Sequence, residues 1–160
     1  MNMYVLQVKP GYEESAARLI AAKGYRAMCP TKEMYIHSSG TWTRRISLVF
    51  TQYIFVECDI DEAYYKIKSV FGVVRFLGHG KPEPLKEHEK AYINWIYNNG
   101  KAIEASKVYV TMHGDKMILS GLLREYKDDI INLDLRQRRA KIKIPFCGEY
   151  HIITIPVISI

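Results

Sequence analysis

Cysteine is scarce and unpatterned here: Cys29, Cys58 and Cys147 stand far apart, with no C-x-x-C pair among them. Their spacing writes neither a disulfide framework nor a zinc site, and each is expected to serve as a small hydrophobe. Long apolar runs are missing too. No stretch approaches the ~20 residues that span a bilayer, and no basic segment followed by an apolar run precedes Tyr4. A cytoplasmic protein without a membrane partner is therefore expected. Catalytic patterning is equally thin. The histidines His37, His79, His88, His113 and His151 are scattered without H-E-x-x-H, and no nucleophile, paired carboxylates or ligand set stands at workable spacing. Gly78-His79-Gly80 lacks the further glycine and the strand-to-helix setting of a phosphate loop. The expectation is no enzyme, no cofactor and no metal.

What the chain does have is an ordinary globular composition, 48% hydrophobic and 25% charged, which argues against disorder and suits one medium domain or two small ones. A formal charge of +6 leans toward a polyanionic neighbour, since Lys and Arg gain by releasing counterions from phosphates.

Periodicity divides the chain. Met3 to Val8 reads as a buried strand stopped by Lys9-Pro10-Gly11, and Tyr12 to Lys23 as a helix with Glu13 and Glu14 in its first turn and Gly24 after its end. Arg26 to His37 is an irregular strand, with a hairpin tip at Ser38-Ser39-Gly40. Ile46 to Cys58 reads as one central strand covered on both faces. A helix from about Glu62 to Val70, a strand from Val73 to Leu77, a Gly/Pro loop at residues 78–82 and a helix from Glu87 to Asn99 complete an α+β unit, an antiparallel sheet flanked by helices. Past Gly100, short strands follow at Val108–Met112, Ser120–Tyr126, Ile130–Leu133, Ala140–Pro145 and Tyr150–Ile155, the pattern of a small SH3-like β-barrel. The expected division is 1–100, a linker at 101–107, and 108–160.

Three stretches, in order and in register, resemble the NusG family of transcription elongation and antitermination factors. They are Tyr4-Val5-Leu6-Gln7-Val8-Lys9-Pro10-Gly11, Phe50-Thr51-Gln52-Tyr53-Ile54-Phe55-Val56, and Gly72-Val73-Val74-Arg75-Phe76-Leu77-Gly78 followed by Pro82-x-Pro84-Leu85. The second is similar to the family's F-P-G-Y-V-F-V strand, with Thr51-Gln52 in place of Pro-Gly. That departure, and the tail Arg136 to Lys143, look more like specialised paralogues of the RfaH and LoaP kind. The C-terminal part resembles a KOW barrel, with Gly114 and Gly121 at two of its glycine positions. A fold-switching tail as in RfaH is discounted, because Ile152 to Ile158 is β-branched and interrupted by Pro156.

The resemblance implies a monomer whose N-terminal domain grips the clamp helices of the largest RNA polymerase subunit through an aromatic groove, for which Tyr4, Phe50, Tyr53 and Phe55 are the matching residues. It also implies contact with nascent RNA or non-template DNA. Lys9, Arg18, Arg44 and Arg45 are candidates in the first part, and Arg136, Arg138, Arg139, Lys141 and Lys143 in the second. In a strand from Ala140 to Ile144, Ile142 and Ile144 point inward while Arg139, Lys141 and Lys143 share the outer face. Such a stripe can track phosphates or simply protect a sheet edge. A stand-alone RNA-binding or ribosome-associated KOW module is the alternative function.

Overall fold

The computed structural model describes residues 1–160 throughout. Its first part runs β1 (Asn2–Val8), α1 (Glu13–Ala22), β2 (Arg26–Met28), β3 (Thr31–Ser38), β4 (Thr41–Leu48), β5 (Tyr53–Cys58), α2 (Ile60–Lys68), β6 (Val73–Phe76) and α3 (Glu87–Tyr97). Strands β2, β5, β1 and β6 form one antiparallel sheet in that order, and β3 pairs with β4 as a separate hairpin. Helix α2 starts where the Asp59 carboxylate accepts the Asp61 N–H at 3.3 Å, and its last turn carries Lys66 and Lys68, both favourable for the helix dipole.

The single strand expected from Ile46 to Cys58 is in fact two strands in different sheets. Gln52 takes a left-handed φ of +67°, which interrupts extended backbone where the family pattern has glycine. Glu13 supports that bend: one carboxylate oxygen accepts the Gln52 N–H and the other the Gly11 N–H, each at 2.9 Å. The acid expected to serve the helix dipole is thus buried and ties two turns together.

The second part is a curled five-stranded sheet of β7 (Ser106–Val110), β8 (Lys116–Ser120), β9 (Ile130–Asp134), β10 (Arg139–Phe146) and β11 (Glu149–Ser159), ordered β8-β7-β11-β10-β9. Only β7 and β11 are parallel. Its two edges approach, since Lys116 Nζ on β8 donates to the Leu133 carbonyl on β9 at 3.1 Å, consistent with a small barrel. The strand expected at Ser120–Tyr126 lies earlier, at Lys116–Ser120. Gly121 ends it with φ +97°, and a Cβ there would meet Ser106 Oγ at 2.5 Å, so only glycine fits this close approach. The Ser106 hydroxyl in turn accepts the Leu123 N–H at 3.2 Å.

Two apolar clusters result from strand alternation. On one face of the first sheet, Tyr4, Leu6, Val8, Ile54 and Val56 pack against Ala16 and Ile20 of α1 and Ala63 and Ile67 of α2. On the other face, Met3, Val5, Met28 and Phe55 are continuous with Ile142, Ile144, Phe146, Ile153 and Ile155 of the second sheet, with Ile93 and Ile96 of α3 at the side. Between the two parts, Ile103 is buried and exchanges backbone hydrogen bonds with β3, from Glu33 N–H at 2.8 Å and to the Thr31 carbonyl at 2.9 Å. No helix is long and apolar enough to cross a membrane.

Candidate functional site

The four aromatic candidates divide by strand parity. Tyr4, only 3% exposed, turns to the helix-covered face, where its ring meets Phe76 edge-on at 5.9 Å. It is corrected from groove residue to core residue. Tyr53 and Phe55 share the opposite face with Phe50, and Phe50 and Phe55 meet at 5.3 Å.

That face is not open either, which corrects the expectation of an exposed groove. Phe146 of β10 lies against all three rings, at 5.6 Å from Phe50, 5.6 Å from Phe55 and 5.8 Å from Tyr53. Phe50 and Phe55 are buried, and Tyr53 is half-buried. His151 stacks flat on Phe146, with ring centres 3.5 Å apart, and sits 6.0 Å from Tyr53. The cause is complementarity: β10 sends Ile142, Ile144 and Phe146 to one side, and two apolar faces leave water together. Burial holds the His151 pKa below its ordinary value, partly offset by a Phe146 backbone hydrogen bond and by Glu149.

Polar anchors fix the cover at its margins. Lys32 Nζ donates to the Thr154 carbonyl at 2.7 Å, and burial, helped by the nearby Arg139 charge, brings the amine down to about 8. On α3, Trp95 Nε1 donates to the Leu122 carbonyl at 3.0 Å and Tyr92 OH to Asp129 at 2.9 Å, with the Tyr126 ring against both. Burial first, then the bond to Asp129, pushes the Tyr92 hydroxyl up to about 12. Sequence reasoning missed Phe146, His151, Trp95 and Tyr126. The alternation of β10 and the helical spacing of α3 signal Phe146 and Trp95 without saying what they face, and His151 on β11 and Tyr126 in a turn carry no such signal.

The basic candidates are dispersed. Lys9 is exposed beside Phe71, at 5.9 Å from its ring, and Arg18 is exposed on α1. Arg44 and Arg45 are exposed neighbours on β4, the first 3.8 Å from Glu33. Along β10, Arg139, Lys141 and Lys143 share the outer face as alternation requires, and Lys143 Nζ lies 4.3 Å from the Tyr150 ring. Arg138 behaves differently. At φ +59° its guanidinium lies over two rings of the β3–β4 hairpin, 4.2 Å from Trp42 and 4.9 Å from Tyr35. Beside it opens a cleft of about 630 Å³, lined by Tyr35, His37, Trp42, Asp134, Arg136 and Arg139 among others. Lys9 and Arg18 do not line it.

The three thiols are free, and burial raises each, Cys29 to about 12 and Cys58 and Cys147 to about 11, so none is a ready nucleophile.

Comparison with known proteins adds the following. The family model described as "Transcription termination factor nusG" matches residues 1–94. Among solved structures, that of domain interaction in Thermotoga maritima NusG superposes with a TM-score of 0.55 at 23% identity, covering 98% of this chain and 93% of that one. At that identity the likeness speaks for the fold. The MjSpt4:Spt5 complex in conformation A aligns at 12% identity over 99% of each chain, with a TM-score of 0.29, which carries no argument. No curated protein sequence matches.

Proposed function

This chain belongs to the NusG family of transcription elongation and antitermination factors, and from that premise we propose that it grips the clamp helices of RNA polymerase with the sheet face carrying Phe50, Tyr53 and Phe55. The observation that carries this reading is the nature of the cover on that face. Helices close in sequence seal the other face, whereas this one is filled mainly by strands from the far end of the chain, with Ile93 and Ile96 of α3 at the side. Aromatic rings on such a face bury large area at little rotamer cost and suit a hot spot.

A clamp helix and β10 cannot occupy one face together, so polymerase binding displaces the second sheet. The proposed division is 1–100 for the polymerase-binding unit and 108–160 for the barrel, with 101–107 giving way between them. In the Thermotoga relative the solved structure concerns interaction between domains, which supports a docked state here. Once released, the barrel offers the Arg139, Lys141 and Lys143 stripe to nascent RNA or to a partner protein. Thr51-Gln52 and the basic tail favour a specialised, operon-specific paralogue of the RfaH or LoaP kind over a housekeeping factor. The family is not enzymatic, and its factors bind RNA polymerase.

Titration of the isolated clamp-helix coiled coil onto the chain tests this. In a Phe146→Ala background, where the face is freed, Tyr53→Ala should lower clamp affinity by more than about 1 kcal/mol while the first sheet stays folded. Unchanged affinity removes Tyr53 from the contact. No clamp binding by any form, with RNA binding intact, favours the stand-alone RNA-binding module, the reading that the exposed β10 stripe supports.

A further inference from the structure

We propose that the cleft between the β3–β4 hairpin and the β9–β10 turn binds a single strand of nucleic acid, at a site built jointly by the two parts of the chain. This goes beyond the clamp reading and does not depend on it.

The floor of the cleft is an aromatic ladder. In the hairpin register His37 pairs with Trp42 and Tyr35 with Arg44, which places these side chains on one face of the hairpin. His37 and Trp42 ring centres are 4.9 Å apart, Tyr35 and Trp42 are 6.4 Å apart, and Arg138 from the second part lies across the latter two. His37 is exposed, and Tyr35 and Trp42 are half-exposed, so unpaired bases can stack on the open end of the ladder. The rim is cationic. Arg136 and Arg139 line the cleft, and its one carboxylate, Asp134, already accepts the Gln137 N–H at 2.9 Å.

That combination selects its ligand. Phosphates answer the arginines, and free base faces answer the rings, which duplexes hide within their stack. An anchor between two sheets needs only Arg138 on Trp42. It does not account for an open cleft with two more arginines and an exposed imidazole beside it. Because the hairpin supplies the rings and the β9–β10 turn the cations, the site exists only while the parts are docked. By linkage, a strand bound here stabilises the docked state.

The test is fluorescence titration of the full chain with oligouridylate and oligodeoxythymidylate of about twelve nucleotides, a length within single-strand site sizes. Saturable quenching is expected, and it is lost in Trp42→Phe, which identifies the reporter among the two tryptophans. By anisotropy of an end-labelled oligonucleotide, which does not need the Trp42 signal, Trp42→Ala should weaken binding about tenfold and Trp42→Phe by less, since a phenyl ring still stacks. Arg136→Gln with Arg139→Gln, both exposed and safe for the fold, should flatten the log–log salt slope by about 1.4, at about 0.7 per phosphate on a single strand. Lys23→Gln, which removes an exposed charge at the end of α1 outside the cleft, should change nothing. Tighter binding of either sugar supports the site and names the ligand of the docked chain, RNA or DNA. Equal binding of a duplex or of polyglutamate overturns it. So does salt-sensitive binding without Trp42 quenching, which assigns the contact to Lys141 and Lys143 and leaves the clamp reading untouched.

Discussion

The two faces of the first sheet are built from the same strands, yet they are closed in different ways. Leu6, Ile54 and Val56 meet α1 and α2, which the chain forms immediately beside β1 and β5, so that face closes through local connections. Met3, Val5, Tyr53 and Phe55 meet β10 and β11, and this contact cannot form until residues near 146 and 151 come back to residues near 50. The first contact contains mostly aliphatic packing between elements that cannot leave. The second contains a nest of five rings, Phe50, Tyr53, Phe55, Phe146 and His151, between elements joined by one covalent crossing. On the reading proposed above, the face covered from far away is the one that changes occupant, and the face covered by its own flanking helices is not.

The largest effect that should separate the faces comes from Phe146→Ala. It removes a fully buried ring and should cost about 3–5 kcal/mol. Hydrogen exchange should show that loss in β9 to β11, with β1 and β5 keeping their protection. If β1 and β5 open equally, the two parts are one cooperative unit and the contrast collapses.

Leu6→Ala, on the helix side, should cost about 2–5 kcal/mol. Here protection should fall across β1, β5 and both flanking helices at once, as followed by the same exchange experiment. Confinement of the loss to the second sheet would reverse the assignment of faces.

The smallest effect is a pH dependence. Because burial depresses the His151 pKa, the docked state holds the ring neutral and the released state takes up a proton more readily. The contribution to docking is therefore fully present above the ordinary value of 6.5 and is lost as pH falls below it toward the docked-state value. Exchange protection of β10 should fall in the wild type as pH is lowered below the ordinary imidazole value of 6.5 and should hold steady in His151→Phe. A parallel drop in both proteins excludes His151 as the cause.

Much of the fold was legible because its signals are local. A continuous apolar run marked β1, helical spacing opened by Glu13 and Glu14 marked α1, the spacing that runs to Asn99 marked α3, and inward Ile142 and Ile144 marked β10. The misplacements share one physical source, support from a distance. Gln52 bends left-handed because Glu13, 39 residues earlier, holds its N–H, so the split of β4 from β5 leaves no trace near residue 52 except the missing glycine. Strand β8 ends where Gly121 meets Ser106. Tyr4 was assigned to the wrong face because β1 is apolar on both sides, and parity alone does not say which side is which. Arg138 read as one of a row of cations, and only the hairpin's return beneath it makes it a stacking partner of Trp42.

The central claim is that the Phe50, Tyr53 and Phe55 face takes either β10 or the polymerase clamp, never both. Calorimetric titration of the clamp-helix coiled coil into the wild type and into Phe146→Ala tests it most directly. Release of the cover should tighten binding by about tenfold or more, since a docked state favoured by 1.4 kcal/mol already costs the competitor a factor of about ten. Equal affinity in the two proteins, with Phe146→Ala shown by exchange to have loosened β10, would contradict it.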